Sequence, residues 1–260
     1  MNVNKYTAVA LKAACAAGEI IKNHFNSPVE IRFKGEIDPV TNIDIKAQET
    51  ILKILEVAFP GHSFLTEEDS SHRCSSDYCW IIDPMDGTVN FIHRIPYVCV
   101  SIALMHKGKI ISGVVHAPML CETYSAQAGG GAWVNKKRIH VSPERTLVRS
   151  LAITGFPYSV HASAKRHAGI MAGVLEKVQG VRRLGSAAID LAYVASGKAE
   201  AFWEEELKPW DVAAGSLILK EAGGKITDFS GGKNFIFGGT MLATNGILHR
   251  SMLELLGGNK

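Results

Sequence analysis

Five cysteines in 260 residues (Cys15, Cys74, Cys79, Cys99 and Cys121) supply no CxxC pair, which excludes the usual zinc-site spacings. Their odd number also speaks against a secretory disulfide framework. The expectation is therefore reduced thiols in a cytoplasmic protein that folds without disulfides or structural zinc. No apolar run reaches membrane-spanning length, and Lys12, Glu19 and Lys22 interrupt the alanine-rich N-terminal stretch where a signal peptide would be unbroken. With 28 Lys and Arg against 25 Asp and Glu, the chain has no dense basic run of the kind that binds nucleic acid. Its richest patch, Lys136-Lys137-Arg138, reads as a solvated hairpin turn following Gly129-Gly130-Gly131. Internal repeats, low-complexity tracts and polar linkers are absent too. The chain is thus expected to be one domain, 1–260, of two packed halves (about 1–140 and about 141–260), with its seam loosely at 135–148.

What is present is an ordinary globular composition, 47% hydrophobic and 20% charged. Tyr6, Val9, Ala10, Ala13, Ala14, Ala17, Ile20 and Ile21 recur at helical spacing and predict an opening helix that ends near Asn26-Ser27-Pro28. A second helix begins at the cap residues Thr41-Asn42 and stops at Pro60-Gly61, which places Asp44 in a first helical turn. Short β-rich runs follow at 63–66, 79–83, 97–105 and 109–116, the last two joined by a Lys107-Gly108 hairpin. Beyond residue 131, helices are expected around 163–178, 186–196, 210–222 and 246–256. Strands are expected near 150–154, 181–184, 199–203, 225–229 and 240–244. The pattern is one of layered helices and sheets.

Acidic residues concentrate in four segments at the ends of these elements: Asp38 to Asp44, Thr66-Glu67-Glu68, Trp80 to Phe91, and Trp210 to Gly215. Taken alone, Asp38 and Asp44 are turn and cap residues, Glu67-Glu68-Asp69 is a solvated loop, and Asp211 opens a helix whose dipole favours it. Asp83-Pro84-Met85-Asp86-Gly87-Thr88 resists such a reading. Asp83 follows Cys79-Trp80-Ile81-Ile82, so its ionised carboxylate faces a desolvation cost unless cations or donors surround it. Pro84 turns the chain and can return Asp86 to the side of Asp83, with the Met85 carbonyl as a further oxygen ligand. Oxygen donors without His or Cys favour Mg²⁺ or Mn²⁺ over Zn²⁺, and several carboxylates can hold two cations about 4 Å apart for phosphoryl displacement.

Together these segments resemble the inositol monophosphatase family, in the wider superfamily of lithium-sensitive, magnesium-dependent phosphatases that includes fructose-1,6-bisphosphatases. The resemblance is carried by D-x-V-T-x-x-D (Asp38 to Asp44), the Glu67-Glu68 pair after Gly61, W-x-x-D-P-x-D-G-T-x-N-F (Trp80 to Phe91), and W-D-x-x-A-G with E-A-G-G (Trp210 to Gly224). It implies an α+β fold, a layered αβαβα sandwich of the sugar-phosphatase type, and a homodimer. It implies a site of two or three Mg²⁺, the first on Glu67, Asp83 and the Met85 carbonyl, the second on Asp83, Asp86 and Asp211, with a third near Glu67. Thr88, paired with Asp44, would orient the attacking water; Glu67, Thr88 and Asp44 are the catalytic set, and Glu68 supports them. Gly87 and Thr88 would meet the phosphate, while Asp86, Gly185, Ser186, Ala187, Glu204 and Asp211 would meet the alcohol. Glu204 stands six residues before Trp210, as the family's inositol-binding glutamate does. Arg182 and Lys34 are lesser candidates for phosphate or loop contacts.

The expected activity is hydrolysis of a small phosphate monoester, with inositol-1-phosphate leading and no covalent phosphoenzyme. Fructose-1,6-bisphosphatase or dual specificity is the runner-up, since a cluster of basic residues at the cleft would serve a second phosphate and Arg182-Arg183 stands in the right stretch. Phosphatases for 3′-phosphoadenosine-5′-phosphate or histidinol phosphate are further alternatives within the chemistry. A regulatory binding role is the alternative from another class.

Overall fold

The computed structural model describes residues 4–69 and 71–257. Helix α1 (Lys5–His24) starts at Asn4, whose side chain accepts from the Thr7 amide, and buries a face of small residues (Ala10, Ala13, Ala14, Ala17) with Ile21. An antiparallel hairpin of β1 (Ile31–Phe33) and β2 (Pro39–Thr41) then presents residues 34–38 at its turn. Helix α2 (Asn42–Ala58) follows. Thr41 caps it in a reciprocal capping box with Asp44, and its Ile43, Ala47, Ile51 and Leu55 share one core with α1.

Seven strands stand side by side in chain order: β3 (Ser63–Thr66), β4 (Tyr78–Asp86), β5 (Cys99–His106), β6 (Lys109–Ala117), β7 (Glu122–Gln127), β8 (Ala132–Val134) and β9 (Lys137–Ile139). A short helix, α3 (Thr88–Ile92), links β4 to β5. Both faces of the middle strands are covered. Trp80, Ile82, Val100, Ile102 and Leu104 pack with α1 and α2, while Cys79, Ile81, Cys99 and Ala103 belong to the core on the other side. Burial on two faces explains why β4 begins as an uninterrupted apolar run.

The remainder builds a second sheet from β10 (Leu151–Thr154), β11 (Gly180–Arg182), β12 (Ala201–Glu205), β13 (Lys225–Thr227) and β14 (Thr240–Thr244), in the order β11-β10-β12-β14-β13. Helices α5 (Ala187–Ala195) and α6 (Pro209–Glu221) fill the space between the sheets, and α4 (Ala164–Leu175) and α7 (His249–Gly257) cover the outer face. The layers run α1/α2, seven-stranded sheet, α5/α6, five-stranded sheet, α4/α7, the expected αβαβα order. Gly113 of β6 lets α6 come very close, since a Cβ there would sit 2.8 Å from the Ala214 carbonyl oxygen. Among the described residues, no helix is long and apolar enough to cross a membrane.

One expectation is overturned. Cys74 and Cys79 form a disulfide, so the chain does not carry five free thiols. The loop before β4 folds back until the two Cα atoms are 5.2 Å apart, and the Ser63 and Ser76 hydroxyls both donate to the Tyr78 carbonyl within it. Cysteine parity and CxxC searches do not register so local a closure. Alkylation of the unfolded, unreduced chain should modify the three free cysteines, Cys15, Cys99 and Cys121, and all five only after reduction. Five modified without reductant, read by mass spectrometry, would refute the bond.

His249 opens α7 fully buried, its ring nitrogens hydrogen-bonded to the hydroxyls of Thr227 and Thr244, each at 2.9 Å. Burial lowers its pKa from 6.5 to about 4. A depressed folded-state value means that the unfolded chain binds the proton first, so stability is complete above pH 6.5 and is lost as pH falls towards 4. The loss reaches at most about 3 kcal/mol. Urea unfolding of the wild type should therefore weaken more steeply across this window than that of His249→Gln, and equal pH slopes would exclude the histidine as the cause.

Candidate active site

A cleft of ≈ 480 Å³ opens between the end of β4, the β1–β2 turn and the loops following β10 and β12, within the size range of small-molecule sites. At its base β4 carries a bulge between Asp83 and Asp86. The bulge inserts one extra residue, so that both aspartates line the same cleft while the Met85 side chain is buried among α1 and α2. In place of the expected turn at Pro84, the strand continues through it and the bulge brings both acids to the cleft. The Met85 amide donates to Asp83 Oδ1 at 2.9 Å, and its carbonyl accepts from Thr88 Oγ1 at 3.1 Å. Gly87 then takes φ +99°, where an added Cβ would sit 2.9 Å from the Tyr97 carbonyl oxygen.

Glu67, Asp83, Asp86 and Asp211 line the cleft together with Gly87, Thr88, Gly185, Ser186, Ala187 and Glu204. Burial pushes the Asp83 carboxyl well above the usual range, and the charges of Glu67, Asp86 and Asp211 add to it. Asp211 is displaced the same way by burial, then by Asp86 and Glu67. Asp86 is raised to about 6 by burial, against two donors that restrain it: the Ala188 amide and the Ser186 hydroxyl both reach Oδ2 at 2.7 Å. Asp211 likewise uses Oδ2 to accept from the Lys208 amide at 2.7 Å, as the third residue of α6 with Pro209 at the first turn.

Asp44 is 1% exposed and lies outside this lining, one layer deeper. Its Oδ2 accepts from the Thr41 amide and hydroxyl, its Oδ1 accepts from Thr88 Oγ1 at 3.0 Å, and burial raises it to about 6. The Asp44–Thr88 pair expected from the motif is present. Lys34, at the β1–β2 turn, reaches Glu67 at 2.7 Å and Glu68 at 2.9 Å. Burial opposes its charge, but these two carboxylates hold its pKa above the ordinary value. Glu68, raised to about 7 by burial and by Glu67, stays behind the cleft.

Among the described residues, no three His, Cys, Asp or Glu side chains converge tightly enough to hold an ion as they stand. The donor set nonetheless fits a hard divalent cation: it is all oxygen, partly buried, and repelled by its own charge. Histidines take no part in it.

At the opposite end, Glu204 leaves β12 against Gly155; a Cβ at Gly155 would overlap its carboxylate. Burial raises Glu204 to about 8, with Asp190 adding to the rise and Arg183 opposing it. Of the two arginines, Arg183 lines the cleft, while Arg182 turns its guanidinium onto the neighbouring Val181 carbonyl. Asp190, Phe156, Tyr158, Ser159, Lys208 and Trp210 also line it without having been singled out as site residues. A Gly-Phe-Pro-Tyr sequence directly after a predicted strand was the available signal for this wall. Asn90 ties the two ends together, its side-chain amide donating to the carbonyls of Tyr97 and Leu184 at 2.9 Å each.

The profile of the inositol monophosphatase family matches residues 2–258. The chain belongs to that family. The inositol-1-monophosphatase of Mesorhizobium japonicum is 40% identical over 258 residues, covering 95% of this chain and 94% of that protein. A protein named Nus factor SuhB from Escherichia coli is also 40% identical, over 94% and 93% of the two chains. Among solved structures, the IMPase of Thermotoga maritima superposes with a TM-score of 0.91 at 34% identity, covering 98% of each chain. The suhB protein of Bartonella henselae gives 0.93 at 36%, covering 98% and 99%. Membership of the inositol monophosphatase family makes this chain a phosphatase of the metal-dependent class, on a fold shared with those relatives.

The contact between Gly155 and Glu204 can be checked directly. Gly155→Ala should cost about 1–3 kcal/mol through overpacking. The same change in a Glu204→Ala background should cost distinctly less, as measured by denaturant unfolding. Equal costs in the two backgrounds would mean that the pair does not touch.

Proposed function

We propose that the protein hydrolyses a small phosphate monoester with Mg²⁺, and that inositol-1-phosphate is the leading substrate. The observation that carries this reading is the bulge of β4, which sets Asp83 and Asp86 in one cleft opposite Glu67 and Asp211. Glu67, Asp83, Asp86, Asp211 and the Met85 carbonyl would hold two or three Mg²⁺, with Mn²⁺ as a substitute. Bound there, the ions would polarise the phosphoryl oxygens and stabilise the leaving alkoxide.

The protein's own groups supply the positioning. Thr88 Oγ1 gives its proton to Asp44 Oδ1 or to the Met85 carbonyl, so its lone pairs are left to accept from a water. That water attacks phosphorus through oxygen, the ester P–O bond breaks, and of the water's two protons one ends on the departing alcohol and the other stays with the phosphate. Asp44, deep and singly directed, fixes Thr88 in that orientation. At the alcohol end Glu204 offers an acceptor and Arg183 a donor for ring hydroxyls. Among the described residues one arginine, Arg183, faces the cleft with Lys208, and three consecutive glutamates, Glu204 to Glu206, line the same wall, which favours a hydroxylated alcohol over one carrying a second phosphate. The homodimer belongs to the same reading.

A second reading has its own support, because a protein named Nus factor SuhB is as similar as the named monophosphatase. The complete acidic set favours catalysis, since a binding scaffold has no use for mutually repelling buried carboxylates.

Phosphate release from inositol-1-phosphate and from fructose-1,6-bisphosphate, with Mg²⁺ and with EDTA, separates these readings. Release from the inositol ester should exceed that from the bisphosphate and vanish on chelation. Asp83→Asn should abolish it while leaving the fold intact. Preference for the bisphosphate would promote the runner-up, and release undiminished in Asp83→Asn would end the assignment.

A further inference from the structure

Asn90, the third residue of α3, is 6% exposed and does not line the cleft. Its side-chain amide turns two protons towards three backbone carbonyls: Nδ2 lies 2.9 Å from the Tyr97 oxygen, 2.9 Å from the Leu184 oxygen and 3.3 Å from the Gly185 oxygen. Carbonyl oxygens only accept, so the nitrogen, and not the oxygen, of the carboxamide has to face them. Within the same turn the Ile95 amide donates to the Asn90 carbonyl at 2.8 Å. One residue therefore closes the turn between α3 and β5 and ties it to a segment 94 positions further along the chain.

Three stretches of backbone meet around this amide. A Cβ on Gly185 would sit 2.8 Å from Asn90 Nδ2, and one on Gly87 would sit 2.9 Å from the Tyr97 oxygen and 3.3 Å from the Gly185 oxygen. The Gly185 carbonyl belongs to the peptide unit that leads directly into Ser186, the cap of α5. Holding that unit fixes where α5 begins. The first residues of α5 are the ones that orient Asp86, since the Ser186 hydroxyl and the Ala188 amide both donate to its Oδ2 at 2.7 Å. Asp86 and Ser186 are 100 residues apart in sequence, so contacts across the two halves must set their spacing.

We infer that Asn90 is a positioning residue: by holding residues 184 and 185 against α3, it aims the Ser186 hydroxyl and the Ala188 amide at Asp86 and so keeps that carboxylate oriented for a cation. Residues that hold a metal ligand in place contribute to metal affinity without touching the ion. The inference rests on the reading of Asp86 as a cation ligand, and it gives a physical role to the asparagine of the Trp80 to Phe91 motif.

Calorimetric titration of the substrate-free protein with Mn²⁺ tests it. The binding event that Asp86→Ala removes identifies the ion concerned. In Asn90→Ala the dissociation constant of that event should rise about tenfold, while an ion held by Glu67, Asp83 and the Met85 carbonyl should keep its affinity. Ser186→Ala should raise the same constant, and the double variant should fall short of the product of the two single effects, because both act on the orientation of one carboxylate. Asn90→Ser retains a hydroxyl donor and should show the same selective rise, which carries the test if thermal unfolding shows that the alanine variant does not fold. Equal weakening of every ion would mark a general loosening of the fold and overturn the inference. So would an unchanged constant, or single effects that multiply in full. If Asp86→Ala removes no binding event, the reading of Asp86 as a ligand falls, and this inference with it.

Discussion

Mutual repulsion among buried carboxylates is the constraint to which the rest of the molecule answers. Asp83 sits at the end of a strand covered on both faces, and Glu67, Asp86 and Asp211 crowd the same cleft. Left uncompensated, such a group would neutralise itself by taking up protons or would splay apart. The fold meets the difficulty with fixed donors aimed at one oxygen of each acid: the Ser186 hydroxyl and Ala188 amide on Asp86, the Lys208 amide on Asp211, the Met85 amide on Asp83. Lys34 adds a counter-charge from the hairpin turn. The acids are oriented without being satisfied, which is the state in which a divalent cation gains most from joining them.

The donors to Asp86 come from a different layer than Asp86 itself, while those to Asp83 and Asp211 are local to each acid's own element. Asp44, Glu67, Asp83 and Asp86 come from the α2 layer and the seven-stranded sheet, whereas Ser186, Ala188, Lys208 and Asp211 come from the starts of α5 and α6. Helix starts are suited to the task, because their first amides have no partner within the helix. The two central helices thus turn a packing layer into a supply of positive potential facing β4.

Much of this was legible in the sequence. The amphipathic spacing of α1, the Thr41 cap of α2 and the apolar run ahead of Asp83 each reflect a local physical demand, and each element lies where those signals place it. The Asp44–Thr88 and Asp83–Asp86 relations were legible through their motif. What escaped were features set by the third dimension. The polar strand β7, Glu122-Thr123-Tyr124-Ser125, shows no apolar alternation because it is held mainly by its ladder to β6 and β8. The Cys74–Cys79 bond depends on how one loop folds back. The choice between Arg182 and Arg183 depends on which way a strand end twists, and the wall at 155–159 joins the cleft through the packing of the five-stranded sheet's half against the other.

The close approach of Gly113 to Ala214 fixes how far α6, and hence Asp211, stands from the seven-stranded sheet. A ligand set drawn from the seven-stranded sheet and from α6 is complete only once α6 has docked, so a partly folded chain with its first half in place offers three of the acids and not the fourth. An ion held by Glu67, Asp83 and the Met85 carbonyl would need only the first half, whereas one that also needs Asp211 would bind the complete fold alone and stabilise it over any such intermediate.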